Sequence, residues 1–179
     1  MILVVAATAR ELHGLESETL ACGIGPVEAA AVTARALSLR RPDSVLHIGI
    51  AGARGIEPPA LVLGSEAVYE DIAGDLASTM PRIERVEPDA GMLAAARAAL
   101  PGALVMPIGT TARVGAGKVC RVEAMEGFAV LRAAGLAGVP ALELRAISND
   151  PGESDRSRWR FDDALEALRE ATARLLSAL

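Results

Sequence analysis

The chain has 179 residues, a mass of 18.4 kDa and a net charge of −5, and its four aromatic residues are Tyr69, Phe128, Trp159 and Phe161. With 51% hydrophobic residues and a mean hydropathy of +0.33, disorder is excluded, and the length suits one domain (1–179) with a sizeable core. The acidic balance, pI ≈ 5.1, argues against a broad basic surface for nucleic acid, and no apolar run approaches the ~20 residues of a membrane-crossing helix.

Alanine supplies 36 residues and Arg outnumbers Lys 17 to 1, so an ordinary Ala or Arg carries little functional meaning here. Cys22 and Cys120 form no CxxC or metal pattern and read as reduced core residues of a cytoplasmic protein. His13 and His47 lie far apart with no ligating cluster beside either, so no metal and no organic cofactor are expected.

In chain order, residues 2–7 (ILVVAA) form a continuous apolar run, as expected of a strand buried on both faces. The run lacks a basic start and is followed by Arg10 and Glu11, so it reads as a first strand and not a secretory leader. Thr8 is placed to cap a short helix over 9–14. Residues 18–22 (ETLAC) form a second strand. The tight turn Gly23-Ile24-Gly25-Pro26 then sets Pro at the start of a helix that runs to about Leu39 and ends at Arg40, Arg41 and Pro42. Residues 44–48 (SVLHI) form a third strand that runs into a glycine-rich turn at 49–53 (GIAGA). A strand lies within 60–69, and 71–87 is polar and loop-like. Asp89 caps a helix to Leu100. Residues 103–107 and 110–114 read as strands, and 122–136 as a helix. The last strand is 140–147 (PALELRAI), followed by a polar loop over 149–160. A C-terminal helix over 161–179 keeps Leu165, Leu168, Ala171, Leu175, Leu176 and Leu179 at helical spacing. Strands alternating with helices predict a three-layer αβα domain around a mainly parallel, mixed central sheet. Ligand sites in such folds gather where strands end.

Glu11, just past the first strand, either faces such a cleft or favours a helix N-terminus. The GIAGA stretch lets backbone approach a ligand or is a simple turn, and it does not fit GxGxxG. Gly115-Ala116-Gly117-Lys118 likewise misses the P-loop. In VEAMEGF (122–128), Glu123 and Glu126 fall at i, i+3 on one helix face, and Glu126 sits among residues that read as buried. A buried carboxylate needs hydrogen-bond partners, which ligand hydroxyls can supply. In LRAISND (144–150), an Asx turn accounts for Asn149 and Asp150 but not for Arg145, an arginine inside a buried strand.

A carboxylate after strand one, GIGxxxAA, GxAG, MEG and RAISN, in that order, resemble the purine nucleosidase/nucleoside phosphorylase superfamily. Within it, RAISN followed by Asp155-Arg156-Ser157 and Trp159 looks most like the futalosine hydrolase family, and methylthioadenosine/S-adenosylhomocysteine nucleosidases are the alternative. The resemblance implies a purine nucleoside and water as partners, a homodimer, and the nucleoside phosphorylase-like fold. It implies that Glu11 activates the attacking water with Arg145 nearby, and that Met125 and Glu126 hold the ribose. Asn149 would meet the purine at N7, with Asp150 beside it as a possible acid, and the loop 117–119, including Val119, would cover the base. Ile50 and Gly52 belong to the GxAG turn, and Trp159 offers a stacking or lid contact.

N-glycosidic cleavage passes through an oxocarbenium-like sugar, which a carboxylate stabilises. Asn149 cannot protonate a leaving base, but its amide can donate and accept, which suits a 6-oxopurine. Phosphorylases of the superfamily place Ser or Thr in the GxAG turn and an Arg just before it; Ile50 and His47 stand there, which favours hydrolysis. A non-catalytic nucleoside-binding relative would lack Glu11 or Glu126, and both are present. The chain is short for the resemblance, with a β-hairpin missing between Glu11 and Glu18, and Phe128 replaces a small residue, either narrowing the pocket or packing in the core.

Overall fold

In the computed structural model, which describes residues 1–72 and 81–179, every predicted strand region except 110–114 contributes to one mixed sheet. Its strands are β1 (Ile2–Ala6), β2 (Glu18–Ala21), β3 (Ser44–Ala53), β4 (Leu61–Tyr69), β5 (Arg85–Val86), β6 (Leu104–Thr110), β7 (Val122–Ala124) and β8 (Ala141–Asn149). The helices are α1 (Pro26–Arg40), α2 (Ala90–Ala99), α3 (Gly127–Leu136) and α4 (Phe161–Ala178). β1 pairs in parallel with β2 and β3, β3 with β8, β4 with β6, and β6 with β7. The β3–β7, β4–β5 and β4–β8 pairings are antiparallel. The pairings β3–β8–β4–β6–β7–β3 therefore close into a ring, with β1 and β2 extending from β3 and β5 from β4.

Side-chain alternation sorts the core. Val4, Leu46, Leu142 and Leu144 join Met92 of α2 and Leu168 and Leu175 of α4 in one cluster. Leu3, Val5 and Val45 join Ala29 and Leu37 of α1 and Val130 and Leu131 of α3 in another. Residues one apart on a strand point to opposite faces, so each face receives its own helices. A third cluster, with Val62, Ile108, Val122 and Ile147, belongs to the strands of the ring.

Four local expectations are corrected. Residues 9–14 form turns in place of a helix, because the Glu11 carboxylate turns back to accept from the Thr8 N–H (3.0 Å) and hydroxyl (2.8 Å). A six-residue segment has too few internal bonds to offset helix nucleation. GIAGA is no turn but the second half of β3, held by parallel pairing with β8 and interrupted by a register shift at Ala51/Gly52. Residues 103–114 hold one strand in place of two: β6 passes through Pro107, which lies between paired Met106 and Ile108 where the register with β4 shifts, the position at which a missing N–H is tolerated. Residues 122–124 are β7, not the first turn of a helix, because β3 and β6 both offer them ladder bonds. The polar stretch 71–87 contains β5, and residues 73–80 of it lie outside the described residues. Gly25, with φ of 90°, precedes Pro26 and starts α1 without a side-chain cap.

Candidate active site

The carboxyl ends of β1, β3 and β8 and the segment after β7 converge on a cavity of about 280 Å³, close to the lower bound for small-molecule sites. Glu11, Ile50, Gly52, Met125, Glu126, Asn149 and Trp159 all line it. Ile24 of the GIG turn and Ser148 of RAISN line it too, as do Thr8, Val114, Pro151, Phe161 and Leu165, which lie outside the five motifs. Their signal is positional: each flanks a motif, and Leu165 also continues the apolar stripe of α4.

Glu11 is oriented by three donors: the Thr8 N–H and hydroxyl at one oxygen and the Ile50 N–H (3.2 Å) at the other. Glu126, buried just before α3, accepts at Oε1 from the Gly25 N–H (3.0 Å), so the GIG turn supplies a donor to the MEG segment. Its Oε2 lies 3.9 Å from Arg145 Nη2. Burial pushes the Glu126 carboxyl above the ordinary range, partly offset by the Arg145 charge and the Gly25 N–H.

Arg145 lies beneath the cavity floor and is only 1% exposed. Its Nε donates to Glu143 Oε1 (2.8 Å), and its Nη2 donates to His47 Nε2. His47 Nδ1 meets the Val5 carbonyl at 3.0 Å, which leaves Nε2 as the acceptor. Burial first, and then the Arg145 charge, hold the imidazole well below its ordinary pKa, so it is neutral. Glu143 escaped sequence reasoning, although ELR puts it and Arg145 on the same face of a strand.

Asn149 ends β8. Its Oδ1 accepts from the Ser148 hydroxyl (2.8 Å), which leaves the Nδ2 amide hydrogens for a ligand. Trp159 donates to the Glu153 carbonyl (3.0 Å) and packs 5.3 Å from Phe161, fixing both rings at the cavity.

Several candidates fall elsewhere. Asp150 is exposed, outside the cavity lining, and accepts from the Gly152 N–H (2.7 Å) in an Asx turn. Val119 is 57% exposed and lies outside the lining, because its N–H is drawn to Glu70 (2.9 Å); Val114 of the same loop reaches the cavity instead. Glu123 and Glu126 do not share a helix face. Glu123, on β7, does line the cavity, but its carboxylate accepts from the Gly115 and Gly117 N–H groups and holds that loop. Phe128 stacks on Tyr69 at 5.2 Å in the α1/α3 core, away from the cavity. Cys22 and Cys120 are free and buried, with burial as the main cause pushing both thiols up to about 12. Among the described residues no group of His, Cys, Asp and Glu is arranged to hold a metal ion.

The carboxylates of Glu11 and Glu126 and the amide of Asn149 thus meet in one cavity near strand ends of a mixed sheet. The model of the Phosphorylase superfamily matches residues 9–120 and 113–179, and the chain belongs to that superfamily. Futalosine hydrolase from Streptomyces coelicolor is 36% identical over 194 residues, covering 94% of this chain and 83% of that one. A futalosine hydrolase mutant of Helicobacter pylori superposes with a TM-score of 0.87 at 17% identity, covering 99% of both chains. The MTA/SAH nucleosidase of Streptococcus pneumoniae, solved in complex with 8-aminoadenine, gives 0.84 at 21% identity, again over 99% of both. The fold is thus the nucleoside phosphorylase-like α/β fold with a mixed sheet.

Proposed function

We propose that this chain is a hydrolase that cleaves the N-glycosidic bond of futalosine and releases hypoxanthine, within the futalosine route to menaquinone. The observation that carries the reading is the convergence of Glu11, Glu126 and Asn149 on one cavity. The relative at 36% identity supports the substrate. Met125 and Glu126 hold the ribose, and the Glu126 carboxylate stabilises positive charge as the C1′–N9 bond breaks. Glu11 accepts a proton from the attacking water, whose oxygen bonds to C1′. Arg145 lies between the two carboxylates.

The departing purine carries the electron pair of the broken bond. Asn149 Nδ2 donates to N7 or O6 of a 6-oxopurine, because its Oδ1 is engaged by Ser148. The base then takes its proton from solvent. Methylthioadenosine or S-adenosylhomocysteine is the weaker reading, since an adenine leaving group calls for an acid and Asp150 stands outside the lining. Water is favoured over phosphate by the apolar Ile50 and by His47, which is neutral and committed to Arg145. Arg10, the one cation in the described lining, pairs with Asp162 at 2.7 Å.

The same reading takes the fold as a three-layer αβα sandwich, supported by the separate helix clusters on the two strand faces. It takes the assembly as a homodimer, which rests on the resemblance, and the location as cytoplasmic, which rests on two free cysteines that form no pattern. Light scattering tests the first and cell fractionation the second. For the activity, the protein is incubated separately with futalosine, methylthioadenosine and inosine, and the free base is identified by chromatography. Hypoxanthine from futalosine, at a rate unchanged by added phosphate, is the expected result; release of adenine alone overturns the substrate, and no base from any nucleoside leaves a binding protein.

A further inference from the structure

We propose that Glu143 and His47, which are wholly buried and outside the lining of the cavity described above, are positioning residues that clamp Arg145 so that Glu126 keeps its negative field for the ribosyl cation. This inference rests on the hydrolytic reading above.

Arg145 is held from two sides. Glu143 Oε1 takes the Nε hydrogen at 2.8 Å, and His47 Nε2 takes an Nη2 hydrogen. The Val5 carbonyl fixes the imidazole so that Nε2 is bare toward the guanidinium. Nη1 is aimed over Gly49: a Cβ there would overlap Nη1 and come within 2.9 Å of Glu11 Oε1. Glycine at this position therefore admits the arginine between strand and carboxylate. The Nη2–Glu126 Oε2 separation stays at 3.9 Å, longer than a hydrogen bond.

That separation is the functional point. A guanidinium in direct contact with Glu126 would neutralise the carboxylate on which the proposed reaction depends, since Coulomb attraction is strong between two groups as buried as Arg145 and Glu126. Glu143 competes for the same cation and is better placed. Its carboxyl is wholly buried, its Oε2 has no hydrogen-bond partner, and it presses against Gly127, the first residue of α3, where any side chain would overlap both carboxyl oxygens. An unpaired carboxyl oxygen in a core destabilises the fold, and a leucine on this strand would pack without that penalty. Its presence is explained by what it does to Arg145. The ionisable groups facing this cation are Glu143 on the same strand, His47 on β3, Glu126 ahead of α3, Glu11 after β1 and Cys22 after β2; Glu143 and Glu126 are its two ion pairs.

The test uses Glu143→Gln, which keeps size and an acceptor but removes the charge, with folding followed by circular dichroism and base release measured against pH. Arg145 should turn to Glu126. The expected result is a fall in kcat of about 10- to 100-fold, the scale seen when outer partners that orient a functional group are lost. KM for the nucleoside should stay within about twofold, and the acid limb should move to lower pH. Glu143→Asp, which restores the charge, should recover most of the loss. If Glu143→Gln does not fold, His47→Leu, an apolar replacement in a buried strand, should show the same kcat loss at constant KM. A folded Glu143→Gln, or failing that His47→Leu, with wild-type kcat and acid limb overturns the inference while leaving the hydrolytic reading intact. A wild type that releases no base overturns both.

Discussion

Replacing Glu11 by Gln keeps the side chain's volume and one acceptor but removes the carboxylate proposed to take the proton from water. Turnover should fall by about 10²- to 10⁴-fold while nucleoside affinity is retained, as read by single-turnover kinetics beside calorimetric binding. Asn149→Asp places an acid where the amide donates, and should raise turnover of adenine nucleosides relative to futalosine; an unchanged ratio would remove Asn149 from base selection. Glu126 must be ionised to stabilise a cation, and burial raises its pKa. The acid limb of kcat should therefore lie above the ordinary Glu value of about 4.3. The linkage sign is consistent: a carboxyl with a raised folded pKa favours the fold when protonated, and that contribution is lost as pH rises through the shifted value. At this scale Glu11, Glu126, Asn149 and Arg145 were legible because each polar group interrupts or ends an apolar run. His47 was not, because only the pairing of β3 with β8 brings its ring to Arg145; Glu143 shares a strand face with Arg145, but its burial beneath α3 is set by tertiary packing.

Among the elements, the loop 113–120 shows how carboxylates organise backbone. Glu123 grips the N–H groups of Gly115 and Gly117, and Glu70 those of Lys118, Val119 and Cys120. Burial alone would raise the Glu70 pKa, but the N–H groups of Val119, Cys120 and Lys118 outweigh it and hold the carboxyl below the ordinary range. Glu70 thus stabilises the fold fully above the ordinary Glu value, and the contribution fades as pH falls through the lowered one. Glu70→Gln should destabilise by about 1–3 kcal/mol at neutral pH and by less in acid, as urea titrations at the two pH values would show. Phe128→Ala should destabilise by about 3–5 kcal/mol without altering KM, because that ring packs on Tyr69 and not in the cavity. Long periodic elements such as α1 and α4 were legible from spacing and caps. The segment 122–126 was not: its acids fall at helical spacing, but the ladder positions open between β3 and β6 outweigh local preference.

At the scale of the whole molecule, alternation of strands and helices and the order of five short motifs pointed to a nucleoside phosphorylase-like α/β fold with a mixed sheet and to candidate residues at strand ends, where a cavity lies. Composition excluded disorder, and the lack of a long apolar run agrees with the described residues, where no helix is long and apolar enough to cross a membrane. These properties follow from local chemistry, because apolar runs, glycine turns and polar strand ends act on their own neighbours. The closure of β3, β8, β4, β6 and β7 into a ring, the draw of Val119 toward Glu70 and away from the cavity, and the seating of His47 and Glu126 beside Arg145 depend on residues distant in sequence. Only tertiary structure decided them, because burial, register and the competition of three carboxylates for one guanidinium exist only after the strands have paired.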